Sequence, residues 1–144
     1  MQIKTGIDII EIERIKKSIE DNGETFLNKV FTENEVKYCE SKKKSKYEHY
    51  AARFAVKEAA FKAVSELLTD KYSISWKNIE TTNAATGKPK VQFVAVTKQV
   101  EKELGKIQGI DVSISHIKEV AIANVTILIW YMKNSLIRIL ERKR

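Results

Sequence analysis

Arg53-Phe54-Ala55-Val56-Lys57-Glu58-Ala59-Ala60-Phe61-Lys62-Ala63 is the stretch around which the chain is organised. It sets one carboxylate and two lysines among alanines and aromatics. At about 100° per residue, Phe54, Glu58, Phe61 and Lys62 share one arc of roughly 100°. Ala52, Ala55, Ala59 and Ala63 fall on another arc, suited to close packing against a neighbouring element. Arg53, Lys57 and Val64 lie between the two. A carboxylate flanked by two phenylalanines is partly desolvated and needs a cation, whether Lys62, a metal or both. No Gly or Pro interrupts the segment from about Glu48 to Leu68, which predicts a long central helix.

Upstream, Ile3 to Ile10 reads as a strand in which Ile7 and Ile9 alternate with Gly6 and Asp8. From Glu11 the period changes, and Ile12, Ile15 and Ile19 predict a helix ending near Asn22-Gly23. Phe26 to Phe31 forms a short apolar-basic helix or turn. Thr32-Glu33-Asn34-Glu35 is a capping box, with Phe31 and Val36 placed as a hydrophobic staple. Downstream, Ile74 to Thr82 reads as extended, Ala84 to Pro89 as a turn and Lys90 to Ala95 as a strand. Thr97 to Ile107 predicts a polar helix ending near Gly109. Ile110 to His116 and Val120 to Trp130 predict two strands paired as a hairpin.

A chain of 144 residues fits one domain, and its 43% hydrophobic and 31% charged content is globular. The net charge of +7 points to anionic partners without choosing among them. Lys42-Lys43-Lys44-Ser45-Lys46 is most simply a solvated loop. Cys39 stands alone and forms no internal disulfide, which fits a reducing cytoplasm. The first residues lack the apolar run of a signal peptide, and no stretch approaches the roughly 18 apolar residues of a membrane span. The main domain is expected over 1–130. Over 131–144 a basic extension follows, with Leu136, Ile137 and Leu140 at helical spacing.

Asp is depleted in strands, so Asp8 needs a reason. Alone it reads equally well as a cap for the helix that follows. Together with Glu58 it makes a pair of carboxylates on separate elements in apolar surroundings. That is what a hard, oxygen-seeking cation such as Mg²⁺ requires, and no His/Cys cluster suggests zinc. Lys62, one turn beyond Glu58, is either an i,i+4 partner or a phosphate clamp. Lys57 and Arg53 could extend the same cationic surface. His116, read alone, is an ordinary hydrogen-bonded residue at a strand end. With no phosphate-cradling Gly loop and no nucleophile elbow, the residues by themselves stop at a basic domain with a Mg²⁺ and phosphate site.

Six segments then occur in a recognisable order. They are Gly6-Ile7-Asp8-Ile9, Phe31-Thr32-x-x-Glu35, Arg53-Phe54-Ala55-x-Lys57-Glu58-Ala59-x-x-Lys62-Ala63, Ile74-Ser75-Trp76-Lys77-x-Ile79-Glu80, Gly87-Lys88-Pro89 and Ser113-Ile114-Ser115-His116. From about Gly6 to Thr126 the chain resembles the 4′-phosphopantetheinyl transferases, in their short, single-domain, trimeric branch of holo-acyl-carrier-protein synthases. The resemblance implies an α+β fold with an antiparallel sheet packed against a long central helix. It implies transfer of the phosphopantetheine arm of coenzyme A to a serine of apo acyl carrier protein, with adenosine 3′,5′-bisphosphate as the other product. It implies a homotrimer with active sites between subunits. Asp8 and Glu58 would bind Mg²⁺ with the pyrophosphate, and Lys62 would assist departure of the bisphosphate. Arg53, Lys88 and His116 would lie among the cofactor contacts. Arg14 and the Phe26–Lys29 region would meet the carrier protein.

The candidate base for the serine proton is Glu58, directly or through a metal-bound water. The Gly-rich turn that often follows the motif in this family is replaced by Val64-Ser65-Glu66-Leu67-Leu68-Thr69-Asp70. A hairpin position often held by tyrosine is Val120. A different class, a basic nucleic-acid-binding module, rests only on the charge and the lysine run, and no recognition motif supports it. A carrier-binding protein without catalysis is disfavoured by the intact Asp8, Glu58 and Lys62 set.

Overall fold

The computed structural model describes residues 1–130. The helix expected within 131–144 lies outside the described residues. Strand β1 (Gln2–Glu11) leads into helices α1 (Ile12–Asn22), α2 (Glu24–Val30), α3 (Glu33–Glu40) and the long α4 (Lys46–Val64). Strands β2 (Ile79–Asn83) and β3 (Pro89–Phe93), helix α5 (Lys98–Leu104), and strands β4 (Lys106–His116) and β5 (Val120–Trp130) follow. β5 runs down the middle of a three-stranded antiparallel sheet in the order β1-β5-β4, and β2 and β3 form a separate antiparallel pair. Asp8 stands opposite Ala123, and Gly6 opposite Val125. The expected hairpin is the β4-β5 pair. This is the α+β arrangement expected, with α4 laid across β1 and β5.

The alanine arc does what its spacing predicts. Ala52, Ala55, Ala59 and Ala63 are all buried, and Ala121, Ala123, Val125, Ile127 and Ile129 of β5 turn their side chains inward with them. Small residues let the helix axis approach the sheet closely. At Gly6 the approach is extreme, because an added Cβ would stand 1.9 Å from the Ala59 carbonyl oxygen. β1 therefore presents Gly6 and Asp8 toward α4 and leaves Ile3, Ile7 and Ile9 exposed at 72%, 56% and 62%. A second cluster gathers Ile12, Ile15, Ile19, Phe31, Cys39 and Tyr50 around the first half of α4. Burial raises the Cys39 thiol to about 12.

Boundaries moved where local hydrogen bonding won. α1 stops at Gly23, with φ 53°, as its sequence predicts. α5 stops at Gly105, with φ 71°, rather than near Gly109. The apolar positions Ile110, Val112 and Ile114 belong to a strand that already begins at Lys106. The expected extended segment from Ile74 to Thr82 is interrupted after Ser75. The Ser75 backbone N–H donates to Asn78 Oδ1 at 2.9 Å, which winds Trp76–Asn78 into a 3₁₀ turn and delays β2 until Ile79. α4 ends at Val64 and passes into a 3₁₀ turn over Ser65–Leu67.

Candidate active site

Glu58 sits where two cavities meet. One, of about 250 Å³, lies between α4 and the 71–79 segment and is lined by Phe61, Ile74, Trp76 and Ile79, with Lys71 and Tyr72 at its rim. The other, of about 380 Å³, is a more polar groove bounded by Asp8, Arg14, Ser18, Phe26 and Phe54. Glu58 lines both. The wall between them is the stacked pair Phe54 and Trp76, with ring centroids 4.9 Å apart. Phe54 and Phe61 thus flank Glu58 as the helical spacing predicts, each on a different cavity.

Burial, and then the neighbouring Asp8 charge, raise the Glu58 carboxyl above its ordinary value, while Lys62 pulls it down. Lys62 does not act as a simple i,i+4 partner of Glu58. It reaches across to β1, donating to Asp8 Oδ1 at 3.0 Å and to the Ile7 carbonyl at 3.0 Å. The site is therefore two carboxylates and one ammonium, with Asp8 largely covered and the lysine half exposed. Two hard oxygen donors that repel one another, with no sulfur or imidazole beside them, fit Mg²⁺. Among the described residues no group of three or more His, Cys, Asp and Glu forms a complete cage. An ion held by Asp8 and Glu58 would take its remaining ligands from water and substrate phosphate.

Arg14 and Phe26, expected to meet a carrier protein, line the groove on the Asp8 side. Lys29 stands in the last turn of α2 and does not border that groove. Arg53, Lys88 and His116 border neither cavity. Arg53 is 3% exposed, lies over the Tyr38 ring at 4.0 Å and donates to Asn83 Oδ1 at 2.6 Å. Its Nε has no acceptor among the described residues. Lys88 is bridged to Asp111 at 2.9 Å, and His116 Nδ1 lies 4.0 Å from Glu48. The reading of Lys57 and Arg53 as an extension of the Lys62 cationic surface is corrected, since both are buried; the clearest case is Lys57. Its ammonium is fully buried, 2.6 Å from an equally buried Glu35. Sequence reasoning gave Glu35 only its capping role. Its second oxygen also accepts from the Thr81 N–H at 3.0 Å, a contact over 46 residues that helix spacing cannot signal.

The family model of the 4′-phosphopantetheinyl transferase superfamily matches residues 4–125. The chain belongs to this family. A holo-(acyl-carrier-protein) synthase of Ruminiclostridium cellulolyticum is 44% identical over 127 residues, covering 88% of this chain and 92% of that protein. The crystal structure of a holo-(acyl-carrier-protein) synthase from Bacillus anthracis in complex with CoA (3′,5′-ADP) is 34% identical and superposes with a TM-score of 0.70. It covers 88% of this chain and 96% of that one. The Helicobacter pylori holo-(acyl-carrier-protein) synthase, in complex with coenzyme A, is 28% identical with a TM-score of 0.69, covering 86% and 99%. The transferase match runs from Lys4 to Val125, so it takes in Asp8 together with the α4 motif, all of β4 and the first half of β5.

Proposed function

We infer that this chain transfers the 4′-phosphopantetheine arm of coenzyme A to a serine of apo acyl carrier protein, releasing adenosine 3′,5′-bisphosphate. The observation that carries this is Glu58, set with Asp8 and Lys62 at the meeting point of two cavities in a member of this family. The reaction joins two reactants at one phosphorus. The serine oxygen forms a bond to the pantetheine-bearing phosphorus. The bond from that phosphorus to the bridging oxygen breaks, and the bisphosphate leaves with the electron pair.

Repulsion between charges is the main obstacle, so catalysis consists of alignment and neutralisation. Asp8 and Glu58 would hold Mg²⁺, which would supply positive charge to the pyrophosphate. Glu58 accepts the serine proton; burial favours that protonated form. Lys62, held by Asp8, offers its exposed ammonium to the leaving phosphate. The apolar cavity suits the uncharged pantetheine arm. The Arg14–Phe26 groove suits an acidic carrier helix, with an apolar anchor beside a cation.

Arg53, Lys88 and His116 lie apart from Glu58 within one chain. A homotrimer with sites between subunits would bring such a region from a neighbour to the coenzyme. The exposed Ile3, Ile7 and Ile9 stripe of β1 is the apolar surface such an assembly needs to cover. No described helix is long and apolar enough to cross a membrane. A cytoplasmic enzyme is the compartment reading that fits.

Incubation with coenzyme A, Mg²⁺ and apo acyl carrier protein should yield carrier heavier by one phosphopantetheine arm. A mass spectrum without that gain, on a carrier that another transferase does modify, would sink the assignment. Lys62→Ala should lower kcat about a hundredfold, the scale of losing one donor to a developing oxyanion. Its Mg²⁺ requirement, read by titrating the metal, should change much less. A variant with unaltered kcat would leave Lys62 as no more than the partner of Asp8.

A further inference from the structure

Lys57, the residue before Glu58, and Glu35 are fully buried charges that the transfer chemistry does not use. All three ammonium hydrogens of Lys57 have acceptors: Glu35 Oε1 at 2.6 Å, the Trp76 carbonyl at 2.9 Å and the Ile79 carbonyl. Lys57 therefore has nothing left for a phosphate, unlike Lys62. Glu35 is held through both of its oxygens. It accepts from the Thr32 N–H at 3.0 Å and from the Thr81 N–H at 3.0 Å as well as from Lys57. The pair thus ties three elements together. α3 supplies Glu35, α4 supplies Lys57, and the 76–81 segment supplies the carbonyls and the amide.

A buried ion pair is a poor way to gain stability, since well-packed apolar residues of similar volume often do better. Its position is more informative than its energy. Trp76 and Ile79, whose carbonyls Lys57 holds, are walls of the apolar cavity beside Glu58. Trp76 is also one half of the stacked partition between the two cavities, and Phe54, the other half, comes from the same helix as Lys57.

We propose that Glu35 and Lys57 are positioning residues that clamp the 76–79 segment to α4, so that the partition stands and Glu58 faces both reactants. This rests on the transferase reading above. Glu35 borders neither cavity, and Lys57, whose stem lines the apolar one, has all its ammonium hydrogens turned to Glu35 and the two carbonyls. Loss of the pair acts through the placement of the partition, where a displacement of about 1 Å costs on the order of a hundredfold in rate.

The test compares Lys57→Met with the double variant Glu35→Gln/Lys57→Met, against wild type. Thermal unfolding, coenzyme A binding by calorimetry, kcat by mass gain and amide exchange over residues 76–81 are measured. Lys57→Met leaves Glu35 buried and alone, and should lose stability strongly. The double variant leaves no lone charge and should recover most of it. A purely structural pair would return turnover along with stability. A positioning pair should leave kcat of the double variant reduced about tenfold or more, with faster exchange over 76–81. Its coenzyme A affinity should stay within about threefold, because Asp8 and Lys62 are intact. Wild-type kcat in the folded double variant would overturn the proposal. So would failure of both variants to fold, since the pair would then support the core alone. A wild-type protein that transfers nothing would instead sink the transferase reading and leave the exchange data to decide the clamp.

Discussion

Glu58→Gln should abolish transfer at limiting Mg²⁺ while leaving the fold intact. The substitution keeps the side chain's shape between Phe54 and Phe61 and removes the charge. It takes away the proton acceptor, an effect of about 10² to 10⁴ in rate, and one of two donors to the metal. A fall in kcat/KM of at least about a thousandfold is expected. Stability should respond in the opposite sense. Burial and Asp8 raise the Glu58 carboxyl above its unfolded-state value, so the native state favours the protonated acid. The stability belonging to that proton is fully present below the unfolded-state pKa and is lost as pH rises through the raised native value. At neutral pH without metal the ionised wild-type side chain is therefore a liability that glutamine lacks. Thermal melts should show the variant at or above wild type at pH 7, with the advantage gone in acid. Wild-type turnover at limiting Mg²⁺ would make Glu58 a structural residue and remove the proposed site.

Gly6→Ala should cripple the protein without touching any reacting group. The new Cβ would lie 1.9 Å from the Ala59 carbonyl oxygen, 2.9 Å from its carbon and 3.0 Å from the Ala63 nitrogen. All three are backbone atoms of α4, so no side chain can swing aside. Either β1 or α4 must move, at a cost at the upper end of overpacking, about 3 kcal/mol. For a domain of this size that is on the order of 10 °C in Tm. The movement falls between Asp8, two residues along β1, and Glu58, adjacent to Ala59. Folded variant should therefore show a raised Mg²⁺ requirement as well as a lower Tm. A melting temperature and metal titration both equal to wild type would show that the helix and strand are free to separate here.

The packing and part of the chemistry were legible because they follow helical spacing. The alanine arc, the phenylalanines around Glu58 and the box at Thr32 are all relations over three to eleven residues. The long strand β5 and its hairpin partner were equally plain from their alternation. What failed to show was set at long range or, at Ser75, by side-chain bonding that composition does not reveal. Lys57 carries the same helical signal whether its ammonium meets solvent or Glu35, and only the return of the chain at Trp76 to Thr81 decides between them. The alternation of Ile7 and Ile9 with Gly6 and Asp8 marks a strand without saying which face meets the core. The close approach of α4, which only Gly6 permits, settles it and turns the isoleucines outward. Ser75 and Asn78 bond to one another locally and override a stretch whose composition reads as strand.

The burial of Cys39 has a practical side. It is the chain's one cysteine, wholly enclosed between α3 and its neighbours, with its thiol held at about 12. At neutral pH it offers almost no thiolate for alkylation. Coenzyme A and a pantetheinylated carrier, by contrast, both end in a free, solvated thiol. A maleimide dye added to the native reaction would therefore label the donor and the product while leaving the enzyme dark. Progress could then be followed on a gel with the unmodified protein, and no cysteine-free variant would have to be made.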